Sequence, residues 1–396
     1  MGVCSIKRSR KMRKVCVVIT ARPSYSRIKT ALKAINNHPK LELQLVIAGS
    51  ALLDRYGSAI QYIEKDGFRI TEKIFMVLEG DTPTSMAKTT GLGVLELANV
   101  FYKIKPDMVI TIADRFETIA TSIAASYQNI PLVHIQGGEV TGNIDEKVRH
   151  ANTKLADIHL VATDKAVERL TKMGEDSDYI FNTGCPSIDI AREVSENPIL
   201  DFNPFQKYAG VGIGSEMKYK DGYIVVMQHP VTTEYSEAKK QMNNLLNAVK
   251  KLEIPTFWFW PNIDAGSDGA TSAIRKFREH NDLKNIHFFK NMEPSDFLKL
   301  LYNSKVLVGN SSVGIRECSF LGVPVVNIGT RQFGRERGKN VLDVNYEEKS
   351  IYQGIKSQLR IEKRKQDYIY GKGNSGILIA DILAKIKLRS HKTLIY

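Results

Sequence analysis

Short apolar runs of strand type alternate with segments of helical periodicity along the whole chain. That alternation is typical of β-α-β units, in which helices cover both faces of a parallel sheet. The apolar runs predict six strands in the first half and five in the second, at residues 15–20, 41–48, 108–113, 132–135, 159–162, 179–181, 223–227, 256–259, 286–289, 306–308 and 323–328. We therefore expect an α/β fold with two doubly wound sheets.

The first helix is predicted directly after the first strand. Apolar residues within 28–35 recur at i, i+3, i+4 and i+7, which places them on one helical face. Ser24 or Ser26 is available to cap the start of this helix. The same rule predicts helices between the other strands.

A break in the pattern between residues 197 and 221 predicts a domain boundary. The break contains Gly210, Gly212 and Gly214, which lack both the preceding strand and the following helix of a dinucleotide-binding loop. We interpret these glycines as linker. The sequence then predicts three units, at residues 14–196, 221–370 and 371–396. The first two are sheet domains, and the third is a helix that packs back on the first domain.

Composition describes a globular chain whose excess charge lies mainly at its two ends. The 396 residues are 43% hydrophobic and 25% charged, which excludes a disordered chain. The net charge of +13 includes ten cations of the terminal segments: Lys7, Arg8, Arg10, Lys11, Arg13, Lys14, Lys385, Lys387, Arg389 and Lys392. Because the body between the ends is close to neutral, we expect neither a nucleic-acid partner nor a membrane partner.

The sequence carries no signal for a membrane span, for export or for a metal. No apolar run approaches the roughly 20 residues that cross a bilayer. The basic N-terminal residues lead into the first strand without an export-type apolar core, so we expect a cytoplasmic protein. The four cysteines are widely spaced, and neither a Cys/His cluster nor an HxxxH pair occurs. We expect reduced thiols, no metal and no cofactor.

Several segments that follow strands are suited to bind phosphate groups. Arg22 and Ser26 lie where the first helix begins, and the free N–H groups of a helix start favour an anion. Ser311 and Ser312 lie in a small-residue turn after another strand, and Arg331 follows the next strand. A diphosphate could therefore meet backbone N–H groups, hydroxyls and a guanidinium.

Three more side chains after strands of the second half are candidates for ligand binding. Glu317 could hold a ribose diol, or it could pair with Arg316 or Arg335, and the spacing leaves both open. His229 could touch a phosphate or stabilise a leaving group, or it could be a packed side chain. Asn262 follows the strand at 256–259.

Ionisable side chains concentrate after two neighbouring strands of the first half. They are Asp114, Arg115, Glu117, His134, Glu139, Asp145 and His150, with Gln136 among them. Crowded carboxylates and imidazoles suit general acid–base chemistry, because desolvation in a cleft separates their pKa values. Asp114 could instead cap a helix, and His150 could lie on a polar helix face.

Five ordered segments together carry a specific resemblance, at residues 113–117, 134–145, 228–233, 261–266 and 309–317. They resemble the hydrolysing UDP-N-acetylglucosamine 2-epimerases, over about residues 14–386. The resemblance implies two Rossmann-like domains that face a central cleft, as in the GT-B fold. It also implies a cytosolic step that makes N-acetylmannosamine for sialic-acid-type sugars.

By position, the resemblance also implies site residues. Contacts to the uridine nucleotide are implied at Arg22, Ser26, Arg115, His229, Asn262, Ser311, Ser312, Glu317 and Arg331. Proton transfer is implied at Asp114, at Asp145 and at a third position, acidic in several relatives, that is Gln136 here. An amide does not act as a general acid or base at neutral pH. Either Glu139, His134 or His150 does that work, or the step tolerates a hydrogen-bonding residue.

The resemblance thus implies an enzyme that converts UDP-N-acetylglucosamine and water to N-acetylmannosamine and UDP. His229 would assist the departure of UDP. The alternatives are a hydrolysing 2-epimerase of a UDP- or GDP-linked 2,4-diacetamido-trideoxy hexose, and a GT-B glycosyltransferase. We expect a homo-oligomer, either a dimer or a tetramer.

Overall fold

Two seven-stranded sheets organise the part of the chain that the structure describes. The computed structural model describes residues 12–53, 58–79, 82–113, 115–140, 144–261, 266–362, 364–389, 391–393 and 395, with the backbone alone at 83, 144, 145 and 232. No helix in these ranges combines the length and the apolar character needed to cross a bilayer.

The first sheet is built from residues of the first half. Its strands are β1 (Arg13–Ile19), β2 (Leu41–Ala48), β3 (Ile70–Ile74), β4 (Met108–Ile112), β5 (Leu132–Ile135), β6 (Ile158–Val161) and β7 (Ile180–Asn182). The helices of this half are α1 (Arg22–Asn37), α2 (Ile60–Lys65), α3 (Pro83–Ile104), α4 (Thr118–Tyr127), α5 (Ile144–Leu155), α6 (Asp164–Lys172) and α7 (Ser187–Glu196). The strand order is β3-β2-β1-β4-β5-β6-β7, and all neighbours are parallel.

The second sheet repeats this winding. Its strands are β8 (Gly212–Ile213), β9 (Ile224–Met227), β10 (Thr256–Phe259), β11 (Ile286–Phe289), β12 (Val306–Gly309), β13 (Val325–Ile328) and β14 (Val341–Val344). The helices are α8 (Pro204–Lys207), α9 (Ala238–Lys250), α10 (Ser267–His280), α11 (Pro294–Tyr302), α12 (Ser312–Ile315), α13 (Glu317–Leu321) and α14 (Glu348–Gln358). The order is β14-β13-β12-β9-β10-β11-β8, with β8 antiparallel to β11. The predicted pair of doubly wound sheets is confirmed.

Three edge strands, β3, β8 and β14, are not predicted from the sequence. Only Ile74 of β3 is buried, and no residue of β14 is, so neither strand forms the apolar run of a central strand. The interpretation of residues 210–214 as linker misses β8, which has two residues and pairs with Phe288 and Phe289. Sequence patterns detect such edge strands poorly, because one side of the strand remains in solvent.

Helix α1 begins earlier than its predicted cap. Ala21 occupies the N-cap position without a side-chain hydrogen bond, and the helix already includes Ser24 and Ser26, so the prediction that one of these serines caps it is wrong. Pro23 in the first turn lacks the N–H that a cap would otherwise satisfy. The predicted apolar stripe is confirmed, because Ile28 and Leu32 are buried against the sheet.

The last helix, α15 (Ser375–Lys385), packs on α1. Ile379 and Leu383 are fully buried and belong to the same apolar cluster as the α1 stripe. Both carboxylate oxygens of Asp189, on α7, accept hydrogen bonds at the start of α15, from Ser375 N at 2.8 Å and from Gly376 N at 2.7 Å. This carboxylate satisfies two of the free N–H groups of the helix start.

We predict that Leu383→Ala lowers the free energy of unfolding by about 2–5 kcal/mol, because it removes a fully buried side chain between α15 and α1. Leu378→Ala on the exposed face of the same helix is the matched control, with an expected change of about 0.5 kcal/mol or less. Urea unfolding of both variants measures the difference. Equal losses in the two variants would contradict the packing described here.

Candidate functional site

One buried carboxylate joins the loop after β5 to the second sheet. Glu139 Oε2 lies 2.6 Å from Arg316 Nη2 and 3.4 Å from Arg335 Nη2. All three side chains are buried. Arg316 lies between α12 and α13, and Arg335 lies in the loop after β13. This cluster therefore brings the carboxyl-terminal edges of the two sheets together, where doubly wound folds bind ligands.

The surrounding arginines keep Glu139 ionised. Burial by itself raises the pKa of this carboxyl group, but Arg316, Arg335 and Arg149 outweigh burial and lower the pKa to about 2. Burial lowers the pKa of Arg316, and the Glu139 carboxylate more than offsets that effect and raises it. Arg149 also donates to the backbone oxygen of Glu139 at 2.9 Å. Such a carboxylate is suited to hold cations and is a weak proton acceptor at neutral pH.

A second ion pair crosses between the two sheets close to the first. Arg169 on α6 lies 2.8 Å from Glu336 Oε1, and the same Nη1 donates to Gly138 O at 3.0 Å. Gly334 and Val140 meet so closely that a Cβ on Gly334 would lie 3.0 Å from the valine methyl group. The loop after β5 therefore packs directly on the loop after β13.

His229 and Asn310 are fixed to each other at the carboxyl ends of β9 and β12, which are neighbours in the sheet. The Asn310 side chain accepts from His229 N at 2.8 Å and donates to His229 O at 2.8 Å. Arg331 Nη1 donates to Asn310 O at 3.3 Å. Gly309 has a φ of +136°, and a Cβ there would lie 2.1 Å from Met227 O. Only glycine therefore allows the two strands to end this close together.

The imidazole of His229 is neutral at physiological pH. Burial, with the nearby Arg331 guanidinium as a second cause, lowers the pKa of His229 well below its usual value. A neutral imidazole beside a guanidinium is suited to hydrogen bonding with a ligand, while the guanidinium supplies the positive charge.

Ser311, Ser312 and Glu317 lie in two short helices rather than in one. Ser311 caps the four-residue α12, accepting from Val313 N at 3.4 Å, and Ser312 is its first residue. Both hydroxyl-bearing residues are half-buried. Burial raises the pKa of Glu317, partly opposed by Arg316. Arg316 and Arg335 make their ion pairs with Glu139, and Glu317 Oε2 has no hydrogen-bond partner among the described residues.

Gln136 belongs to a polar network that the sequence did not predict. Its Oε1 accepts from Arg27 at 3.2 Å, and its Nε2 donates to Cys185 Sγ at 2.8 Å. Cys185 Sγ lies 3.0 Å from Ser187 Oγ, which in turn is bonded to Glu317. Gln136 has a φ of +66°, a strained backbone for a residue with a side chain. The one sequence signal for this network was the amide at a position that is acidic in several relatives.

The remaining candidates that the structure describes make contacts within the first half. Arg22 stacks over Tyr62, with its guanidinium carbon 4.4 Å from the ring centre. Ser26, the fifth residue of α1, is half-buried. Arg115 Nε donates to the buried Glu117 carboxylate at 2.8 Å. His150 Nε2 lies 3.3 Å from Glu146 on its own helix, in keeping with a polar helix face.

The structure does not describe the side chains of three predicted site residues. Asp114 and Asn262 fall in the gaps of the description, and only the backbone of Asp145 is described, as part of α5. Their roles stay predictions. Within the described ranges, no group of three or more His, Cys, Asp and Glu side chains is arranged to hold a metal.

Comparison with known proteins decides the family. A family model described as UDP-N-acetylglucosamine 2-epimerase matches residues 33–384. The chain belongs to the UDP-N-acetylglucosamine 2-epimerase family. The resemblance read from the five segments is thereby confirmed, and the chain is a nucleotide-sugar 2-epimerase by family.

Relatives in this family match nearly the whole chain. A Legionella pneumophila protein named UDP-N,N'-diacetylbacillosamine 2-epimerase (hydrolyzing) is 33% identical over 96% of this chain and 97% of its own length. A Neisseria meningitidis UDP-N-acetylglucosamine 2-epimerase is 29% identical over 92% of each chain. A crystal structure of UDP-GlcNAc 2-epimerase from Neisseria meningitidis bound to UDP-GlcNAc has a TM-score of 0.79 at 19% identity, over 94% of this chain and 100% of that one. The predicted GT-B-like fold is confirmed.

We predict that Glu139→Gln lowers the free energy of unfolding by about 3–5 kcal/mol at pH 7, because it leaves two buried arginines without their carboxylate. The pKa of about 2 lies below the ordinary 4.5, so the ionised group stabilises the fold above that ordinary value and this contribution is lost as the pH falls towards 2. Urea unfolding between about pH 6 and pH 3 should therefore show a difference from wild type that is constant above about pH 5 and shrinks as the pH falls below about 4.5.

Glu196→Gln is the control for this measurement. Glu196 pairs with Arg192 at 2.9 Å but is 62% exposed, so we expect a change of about 0.5 kcal/mol or less. A Glu139→Gln protein as stable as wild type at pH 7 would show that the buried ion pair does not hold the two halves together.

Proposed function

We propose that this chain is a hydrolysing UDP-N-acetylglucosamine 2-epimerase, which converts UDP-N-acetylglucosamine and water to N-acetylmannosamine and UDP. The observation that carries the proposal is the buried Glu139 carboxylate, which contacts Arg316 and Arg335. These contacts place the loop after β5 against the segment after β12 with Ser311 and Ser312 and against the loop after β13 with Arg331. In this proposal, the acid–base groups that follow strands of the first sheet face the anion-binding groups of the second.

In this proposal the second half holds the nucleotide. Arg331 and the hydroxyls of Ser311 and Ser312 bind the diphosphate, with Arg22 approaching from the first half. His229 donates a hydrogen bond to the leaving oxygen as a neutral imidazole, which is supported by its lowered pKa. Glu317, whose Oε2 lacks a partner among the described residues, accepts from the ribose hydroxyls. Ser26, Arg115 and Asn262 complete the proposed contacts.

The proposed chemistry begins with the bond between C1 of the sugar and the diphosphate. Direct removal of the C2 proton is slow, because that carbon is a poor acid. As the C1–O bond breaks, its electron pair leaves with UDP, and the donors around the diphosphate stabilise the developing charge by about 3 kcal/mol for each well-placed group. The electron-poor sugar that remains has an acidified C2–H bond.

A carboxylate then removes the C2 proton. We assign this step to Asp114 or Asp145, and it leaves a 2-acetamidoglucal with a C1–C2 double bond. Water adds across this bond, with hydroxide at C1 and a proton at C2 from the face opposite to the one deprotonated. The products are UDP and N-acetylmannosamine, and the atoms of one water molecule are consumed.

Glu139 and Gln136 act without carrying a proton in this scheme. The pKa of about 2 keeps Glu139 ionised between its arginines, so we assign it the task of holding the two halves in register. Gln136 bonds to Arg27 and Cys185, and we assign it a hydrogen-bonding role in place of the acidic residue of several relatives.

A second candidate substrate is favoured by one comparison. The Legionella pneumophila relative, at 33% identity, is named for UDP-N,N'-diacetylbacillosamine. A UDP- or GDP-linked 2,4-diacetamido-trideoxy hexose differs from N-acetylglucosamine only at C4 and C6, and the chemistry at C1 and C2 is the same. The cytoplasmic location and the homo-oligomeric state stay predictions.

The test is to incubate the purified protein in D₂O with UDP-N-acetylglucosamine, and separately with its diacetamido analogue, without any acceptor. We predict free N-acetylmannosamine that carries deuterium at C2, identified by NMR. Turnover of the analogue alone would transfer the proposal to the second substrate. A free sugar without deuterium would exclude proton removal at C2, and no free sugar from either substrate would contradict hydrolysis.

We predict that two substitutions separate chemistry from binding. Asp114→Asn should lower kcat by about 10²–10⁴-fold, the usual contribution of a general base, and leave the Kd for UDP unchanged. Arg331→Ala should weaken UDP binding by about 10–100-fold, because it removes a charged hydrogen bond to phosphate. Titration calorimetry measures binding, and the release of sugar measures kcat.

Arg360→Ala is the control for Arg331. Arg360 is exposed beyond the end of α14, a helix whose Gln358 contacts the amino end of β13, so its loss should change neither quantity. Normal turnover of Asp114→Asn would refute the assignment of the base.

A further inference from the structure

The buried ring of His134 bridges two segments that the proposed reaction needs. Its Nε2 lies 3.0 Å from the backbone oxygen of Ala113, the residue directly before Asp114. Its Nδ1 lies 3.1 Å from Thr153 Oγ1. Thr153 belongs to α5, and the second residue of that helix is Asp145. One side chain thus connects the two segments that carry the proposed proton-transferring groups.

The directions of these two hydrogen bonds follow from the chemistry of the partners. A carbonyl oxygen only accepts, so Nε2 of His134 carries a proton and donates to Ala113 O. A hydroxyl can donate or accept, so the Thr153 hydroxyl donates to Nδ1 when the ring is neutral and accepts from it when the ring is charged. The ring has no exposed surface, and both of its nitrogens are bonded, so it is held in one orientation.

Ala113 is the point at which this contact acts on the site. Its φ of +59° lies in the left-handed region, which is strained for a residue with a Cβ and persists only where the surroundings hold it. Ala113 N donates to Ile135 O at 2.9 Å, and Ala113 O accepts from His134. Both backbone polar groups of the strained residue are thus bonded to β5, which sets the direction in which the chain leaves β4.

The α5 end of the bridge is equally constrained. Asn152, beside Thr153, donates to Thr118 Oγ1 at 2.8 Å and accepts from Ser122 at 2.7 Å. A Cβ on Gly137 would lie 2.9 Å from both His134 Nδ1 and Thr153 Oγ1, so this position requires a glycine. The loop after β5 therefore leaves room for the His134–Thr153 hydrogen bond but not for a side chain at position 137.

We propose that His134 is a positioning residue that sets the location of Asp114 relative to Asp145 through its two hydrogen bonds, without itself transferring a proton. The inference rests on the proposed function. Catalysis by two oriented carboxylates is sensitive to displacements of about 1 Å, which cost up to about 10²-fold in rate. Loss of the bridge should therefore reduce the chemical step and leave nucleotide binding in the second half intact.

Two substitutions of His134 separate the two ends of the bridge. A glutamine amide reaches the position of ring Nε2 and donates to Ala113 O, whereas the shorter asparagine reaches only the position of Nδ1. We predict that H134N lowers kcat at least about tenfold, with KM and the Kd for UDP within about twofold of wild type. H134Q should retain kcat within about threefold. Rates are counted per UDP-binding site, so that partial unfolding does not mimic a catalytic loss.

Thr153 gives an independent test should H134N fail to fold. T153V keeps the shape of the side chain but removes the hydroxyl, and we predict a loss of kcat of at least about fivefold that T153S restores. T256V is the matched control, because Thr256 is a fully buried residue of the second sheet. Within the described structure, its hydroxyl donates only to the nearby Ile254 O. It should leave kcat and UDP binding per site unchanged.

The outcomes distinguish this inference from the proposed function. Free sugar must first be released by the wild-type protein, and its absence would contradict the proposed function itself. With wild-type turnover established, equal kcat values for H134N and H134Q, or a fall in UDP affinity parallel to kcat, would overturn the positioning role. The same holds if T153V keeps wild-type kcat.

Discussion

The Glu139 carboxylate, buried between Arg316 and Arg335, is the contact on which the proposed site depends. If the two sheets did not contact each other, each would still have its own carboxyl-terminal edge. In the proposed site, however, the anion-binding groups belong to one edge and the acid–base groups to the other. The ion pair brings these edges together, and the Arg169–Glu336 pair beside it supports the same approach. A buried carboxylate shared by two arginines is costly to leave incomplete, so this contact favours one relative arrangement of the loops.

Two strained backbone positions lie where neighbouring strands of the first sheet end. Ala113 and Gln136, at the ends of β4 and β5, both have positive φ although neither is glycine. Backbone hydrogen bonds hold each of them: Ala113 O accepts from the buried His134 ring, and Gln136 N donates to Leu160 O. Gly309 solves the same steric problem in the second sheet by having no side chain. Strained backbone of this kind clusters at functional sites in proteins, which fits the location proposed here.

The sequence predicted what depends on local pattern. Central strands such as β1 and β12 are visible as apolar runs, because both of their faces are buried. The stripe of α1 is visible as apolar residues at helical spacing, because one face of the helix is buried. The edge strands β3, β8 and β14 escaped, since half-solvated strands lack that pattern. The five polar segments were also visible, because chemistry requires particular side chains after particular strands.

Pairings between distant residues were not predictable in the same way. Nothing in the spacing indicated that Glu139 would bind Arg316 and Arg335, or that His134 would join Ala113 to Thr153. Arg316 and Arg335 were open as partners of Glu317, and only the folded structure shows that Glu139 holds them. Such contacts depend on which loops face each other in the folded chain, and local patterns in a single sequence do not reveal this.

The central claim is that a nucleoside diphosphate lies in the gap between the two sheets, against the second half, with the proton-transferring groups opposite. A crystal structure of the protein with bound UDP tests it most directly. The account predicts diphosphate oxygens within hydrogen-bond distance of Arg331 and of Ser311 or Ser312, with Glu139 still bonded to Arg316 and with Asp114 facing the gap. UDP bound away from these residues, or Asp114 directed away from the gap, would contradict it.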